Sequence, residues 1–202
     1  MATSKMILKL NKTEYLELKL PNSVPIHLCD NVEISFHGDI KLPLSNDCIS
    51  DSIALLQSLL SKTIDNTLTI PEKSLGNLGY AWNEELHAKD QPNFKPPKHY
   101  RLWAGLDYHL WSTPGNADVT TDTWLYNDRN ANIILEITPT YKWHFSALEQ
   151  PANAPGFIPY AEFMKNYQPY FLRIVPHETA SHWLNQIDKL LNTIAMDEKY
   201  MV

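Results

Sequence analysis

The stretch that decides the fold is Trp124-Leu125-Tyr126-Asn127-Asp128-Arg129-Asn130-Ala131-Asn132-Ile133-Ile134-Leu135-Glu136-Ile137-Thr138. β-Branched, aromatic and other apolar residues fill both flanks, while Asp128-Arg129-Asn130-Ala131 between them accepts turn geometry. The pattern predicts an antiparallel hairpin, with strands over 124–127 and 132–138 and with Ile133, Leu135 and Ile137 forming an inward row.

Upstream of the hairpin, Tyr100, Leu102, Ala104, Leu106, Tyr108 and Leu110 recur at every second position, which predicts one long strand over 100–112 with its even side in the core. Downstream, 141–145 adds a strand, 160–167 a short helix, and 170–175 a strand that Pro176 ends. Trp183, Leu184, Ile187, Leu190, Leu191 and Ile194 then fall on one face of a helix, leaving Asn185, Gln186, Asp188 and Lys189 outward. A second long helix is predicted over 48–64, where Ile49, Ile53, Leu56, Leu60 and Ile64 repeat at helical spacing. Strands at 6–10, 15–20 and 32–37 precede it. Residues 70–86 are left open, because Pro71 suits a helix start whereas Gly76 and Gly79 interrupt one. Pro92, Pro96 and Pro97 make 87–99 a surface connection. The expected class is α+β: one domain over 1–202, mainly antiparallel sheet, with the amphipathic C-terminal helix and one further long helix packed on it.

A chain of 202 residues, 44% hydrophobic and 11% aromatic, supports one sizeable core. The net charge is −6. Between Arg101 and Met164 only Arg101, Arg129 and Lys142 oppose Asp107, Asp118, Asp122, Asp128, Glu136, Glu149 and Glu162, which disfavours nucleic acid as a partner. Two cysteines, Cys29 and Cys48, are too few for a disulfide framework or a four-cysteine zinc site. No apolar run approaches the ~18 residues of a membrane span, and the first residues lack the apolar block of a secretory signal. These features predict a cytoplasmic protein with no membrane partner.

His177-Glu178-Thr179-Ala180-Ser181-His182 superficially resembles a zinc-protease signature. Its histidines stand at i and i+5, roughly 140° apart on a helix, whereas that chemistry needs i and i+4, so no metal is expected there. Gly76-Asn77-Leu78-Gly79 lacks the third glycine of a dinucleotide loop, and neither a phosphate loop nor a nucleophile elbow occurs. No cofactor is expected.

The odd side of the predicted 100–112 strand carries Arg101, Trp103, Gly105, Asp107, His109 and Trp111. Hairpin register decides whether Trp124 or Tyr126 and Glu136 join them. Open to solvent, Trp103, Asp107, His109, Trp111, Trp124 and Glu136 would bind a basic protein partner, the indoles as anchors and the acids as selectors. Covered by a second layer, the tryptophans would be core and Asp107 and His109 structural. Two further readings stay open: a hydrolase-like enzyme in which Asp107, His109, Glu136 or His144 is the acid or base, and a small-ligand or sugar-binding module in which Trp103, Trp111 or Trp124 is a stacking platform.

Trp124-Leu125-Tyr126-Asn127-Asp128, Ile134-Leu135-Glu136-Ile137-Thr138-Pro139, Tyr141-Lys142-Trp143, Phe163-Met164-Lys165-Asn166-Tyr167 and Trp183-Leu184-Asn185-Gln186 resemble segments of the immunity proteins of bacterial polymorphic-toxin systems. The likeness spans 122–191 and carries no catalytic code. It implies a small, acidic, non-enzymatic inhibitor that binds a toxin domain, often a nuclease with a basic cleft.

Overall fold

The computed structural model describes residues 4–22, 26–89, 104–113, 117–144 and 156–198, with side chains to 194. Its strands form two four-stranded antiparallel meanders. The first contains β1 (Lys5–Lys9), β2 (Tyr15–Lys19), β3 (Asn31–His37) and β4 (Lys41–Cys48), in that order across the sheet. The helix α1 (Ile49–Ile64) follows β4 directly. After the short helix α2 (Leu78–Lys89) come β5 (His109–Ser112), β6 (Thr121–Asn127) and β7 (Ile133–Pro139). The chain continues through α3 (Tyr160–Lys165) and β8 (Phe171–Val175), which closes the second sheet, and then forms α4 (His177–Glu198).

In the first sheet the sequence alternates as a half-buried sheet should. Leu8, Leu16, Leu18, Val32, Ile34, Phe36, Leu42 and Leu44 point inward, and they share one apolar core with Leu125, Leu135, Ile137 and Phe171 of the second sheet and with α1 and α4. Phe36 meets Phe171 with ring centroids 4.2 Å apart. Polar bonds fix the two sheets and two long helices together: Thr121 donates to the Pro43 carbonyl at 2.7 Å, Asn127 to the Thr63 carbonyl at 2.9 Å, and the Trp183 indole to the Lys9 carbonyl at 2.9 Å. Each of these side-chain donors is buried or half-buried and gains a partner this way.

The second sheet differs in having its centre covered on both faces. Every residue of β6 and of β7 is buried. The chain leaves α1, makes a parallel bridge from Thr69 to Asn127, and crosses to the far side of the sheet. There Ile70 and Leu78 pack on Trp124, Tyr126 and Ile134, with Trp82 against them. Gly79 permits this approach: a Cβ at that position would collide with Oγ1 of Thr138 and with the Tyr167 hydroxyl.

Three expectations need correction, the first being the surface connection over 87–99: 87–89 end α2, and 90–99 lie outside the described residues. The long strand over 100–112 is not continuous: Ala104–Tyr108 is a 3-10 turn, His109–Ser112 alone is strand, and 100–103 lie outside the described residues. Alternation cannot distinguish a strand from an apolar turn that packs with either side. Residues 141–144 form a turn rather than a strand. β4 was not expected at all; its Pro43 sits at the sheet edge, opposite Ser35 and beside a bulge that leaves Leu44 unpaired.

Candidate functional site

The register of the second sheet assembles the polar side chains. Ser112 lies opposite Asp122 and Asp122 opposite Thr138; one step along, His109 lies opposite Trp124, Trp124 opposite Glu136 and Glu136 opposite Leu172. Directly opposed residues share a face, so these two rows lie on the side covered by α2. A bulge between His109 and Trp111 reverses the alternation, and Trp111 pairs with Thr123 on the opposite side. Its indole there donates to the Ser52 carbonyl of α1 at 3.0 Å.

The predicted partner-binding face is therefore not an open surface. Trp124 and Glu136 are 0% exposed and Trp111 is 3% exposed. Trp111 belongs to the central core, whereas Trp124 lies under the α2 layer. His109 is half-buried, with its ring 4.7 Å from Trp124 and 6.1 Å from Trp82. Asp107 is exposed on the 3-10 turn, and Trp103 lies outside the described residues.

The structure brings His109 together instead with Ser112, Asp122 and Thr140. Asp122 is 1% exposed. Its Oδ1 accepts the Ser112 hydroxyl at 2.5 Å and lies 2.8 Å from Nε2 of His109, while Oδ2 accepts the Thr140 hydroxyl. Ser112 Oγ is also 3.1 Å from the same Nε2. Serine, histidine and aspartate here form a closed triangle on one ring nitrogen. Nucleophile activation by a triad needs the two nitrogens divided, one for the serine and one for the aspartate. This cluster lacks that division, so it orients hydroxyls rather than activating one.

Asp122 forms part of the lining of a cleft of about 220 Å³ that also includes Trp82 and Leu86 of α2, Ser112, Thr113, Thr120, Thr140, Lys142 and His144. Asn83 fixes α2 at its edge: its amide donates to the carbonyls of Gly79 at 2.7 Å and Pro139 at 3.0 Å, and its Oδ1 accepts the Tyr141 amide at 2.6 Å. The chemistry on offer is an aromatic wall, several hydroxyls and one ammonium. His109 and Glu136 do not line this cleft.

Glu136 has a different environment. Oε2 accepts the Tyr126 hydroxyl at 2.6 Å, and Oε1 has no hydrogen-bond partner. Burial pushes its carboxyl up to about 7, against the opposing influence of the Tyr126 hydroxyl and the Gly79 amide. Tyr126 itself is raised, first by burial and then by the Glu136 charge.

For metals, Asp47, Cys48 and Asp51 at the start of α1 offer ligand atoms within 4.8 Å of one another. Both aspartates are exposed, and acids at a helix N-terminus are ordinary partners of its dipole. His177 and His182 occupy the first turns of α4, and His177 lies 3.3 Å from the Ile64 carbonyl.

Sequence reasoning missed Asp122, Ser112, Thr140, Trp82 and Asn83 as a group. Asp122 shares alternation with Trp124 and Tyr126 and was findable as a residue of that face; the α2 residues gave no signal. No helix among the described residues is long and apolar enough to cross a membrane. Comparison with known protein families, curated proteins and solved structures finds no match.

Proposed function

We propose that the protein is a non-enzymatic binding module that takes a small hydroxyl-bearing ligand, the size of a monosaccharide, in the cleft beside Asp122. The observation carrying this reading is that Trp82, Ser112, Thr113, Thr120, Thr140 and Lys142 line one cleft of about 220 Å³, the four hydroxyls donating within the protein and so offering a ligand their lone pairs. Aromatic surface with a few placed polar groups is the usual chemistry of small-ligand recognition. Asp122 supports it from behind by holding Ser112 and Thr140 in fixed orientation. The shared ring nitrogen of His109 argues against the hydrolase alternative.

The test is an amide-shift titration with glucose, mannose, N-acetylglucosamine and glycerol. Saturable shifts at Ser112, Thr113 and Lys142, weakened at least tenfold by Trp82→Ala, are expected. Absence of any saturable shift at about 50 mM ligand would remove the proposal, that concentration being far above useful affinities.

A protein partner is the second reading, and a separate observation favours it. Tyr170, just before β8, and Leu172 and Ile174 on it are exposed, Ile174 to 57%, and β8 is an edge strand of its sheet. Together with the charge of −6 they are compatible with a basic partner such as a toxin domain, at a different place from the face first expected. Leu172→Lys with Ile174→Lys should abolish capture of a cognate toxin domain and leave the cleft titration unchanged.

A further inference from the structure

We propose that Glu136 is a proton-operated latch: protonated, it seats the first turn of α2 on the second sheet, and ionised, it releases α2 together with the Trp82 wall of the cleft. The effect on ligand uptake rests on the reading of the cleft given above; the latch itself does not.

Glu136 is wholly buried, with one oxygen bonded to Tyr126 and the other without a partner. From α2 it faces only the Gly79 amide, which favours the ionised carboxylate but by less than burial disfavours it. From β6 it faces Tyr126, with Asp122 one row away. From the segment after α3 it faces Tyr167, whose hydroxyl is buried and whose ionisation burial and the Glu136 charge both oppose. β8 presents Leu172. Every titratable neighbour among these is acidic, so an ionised Glu136 would be a buried charge facing no cation among the described residues.

α2 is the element able to respond. Only Leu78, Gly79 and Asn83 of its residues are buried, whereas α1 buries Ile49, Ser52, Ile53, Leu56, Leu59, Leu60 and Thr63. A short helix with little buried surface is the kind of unit that opens before the rest of a domain. It carries Trp82 and Leu86, so its departure removes one wall of the cleft.

The sign follows from linkage. In the closed form the carboxyl is pushed up to about 7, against 4.5 when solvated. The closed form therefore binds the proton more tightly, and the ratio of closed to open falls as pH rises from 4.5 to 7, by up to about 300-fold, then levels off.

The experiment is native-state hydrogen exchange of the α2 amides between pH 5 and 8 without ligand, corrected for intrinsic rates, with α1 amides as internal reference. α2 opening should rise about 100-fold while α1 holds steady. Glu136→Gln should flatten the response near its acidic level, and Tyr126→Phe should move its midpoint to higher pH by removing a donor to the carboxylate. A pH-independent α2, an undiminished response in Glu136→Gln, or α1 opening in parallel would each overturn the latch. Should Glu136→Gln fail to fold, the direction of the Tyr126→Phe midpoint decides, and an unmoved midpoint overturns the proposal. Failure of the sugar titration leaves this result untouched, because no ligand is present.

Discussion

The two sheets have the same four-stranded antiparallel topology and opposite relations to solvent. The first buries one face and covers the other with charged side chains; the second has its central strands buried on both sides. That difference sets the ionisation of the one buried glutamate in each sheet. Glu17 lies on the outer face of β2 with the Lys5 ammonium 3.1 Å away, and that contact holds its carboxyl below the usual range despite an opposing effect of burial. Glu136 lies under α2 with no such partner and is raised. A solvent-facing sheet can place a lysine beside an acid, while a covered one leaves the acid to neutral donors.

Deleting the largest side chain between β6 and α2 breaks the contrast most sharply. Trp124→Ala should cost about 3–5 kcal/mol in chemical denaturation, as large-to-small core changes do. Ser35→Ala on the outer face of β3 should stay within about 0.5 kcal/mol. Equal effects would show that the α2 layer does not seal the second sheet.

Next in size is the pH response of the carboxylates. Glu136 binds its proton more tightly when folded, so its contribution is fully present below about 4.5 and is lost as pH rises to about 7. The loss is on the order of 3 kcal/mol at 1.4 kcal/mol per pH unit, read from denaturation midpoints of wild type against Glu136→Gln. Glu17 behaves oppositely: its contribution is present above the ordinary carboxylate value and is lost as pH falls through its lowered one. Lys5→Met should remove that acid limb and leave the limb between 4.5 and 7 intact.

Gly79→Ala, whose new methyl would meet Thr138 and Tyr167, should destabilise by about 1–3 kcal/mol. Gly38→Ala, where the nearest atom is Cζ of Phe36 at 3.0 Å, should cost less than half as much. Thermal melts of the pair would sharpen the contrast between a helix seat where the new methyl collides outright and a turn where it is only a few tenths of an ångström too close. The smallest effect expected is for Lys19→Ala, which removes an exposed ion pair with Glu33 and should change stability by less than about 0.5 kcal/mol.

Much of the framework was legible from residues. α1 spans almost the stretch its periodicity indicates, α4 contains the whole apolar face from Trp183 to Ile194, and the hairpin turns at Asp128, whose carboxylate accepts the Asn130 and Asn132 amides. These elements are set by local rules of spacing, capping and turn chemistry, which act over a few neighbouring residues. The face of Trp111 was not legible, because the bulge after His109 is a property of two paired strands. Nor was α2: Gly76 and Gly79 read as interruptions, whereas Gly76 precedes the helix and Gly79 is what allows it to sit on Thr138.

By itself, then, the sequence determined the antiparallel α+β framework, the two long helices and the decisive hairpin, since each arises from hydrophobic spacing along the chain. Tertiary structure alone decided that Trp124 and Glu136 lie sealed, that Asp122 meets His109, Ser112 and Thr140, and that α2 supplies the cleft wall. Those outcomes depend on strand register and on which segment crosses the second face of the sheet, and both are fixed by contacts between residues far apart in the chain.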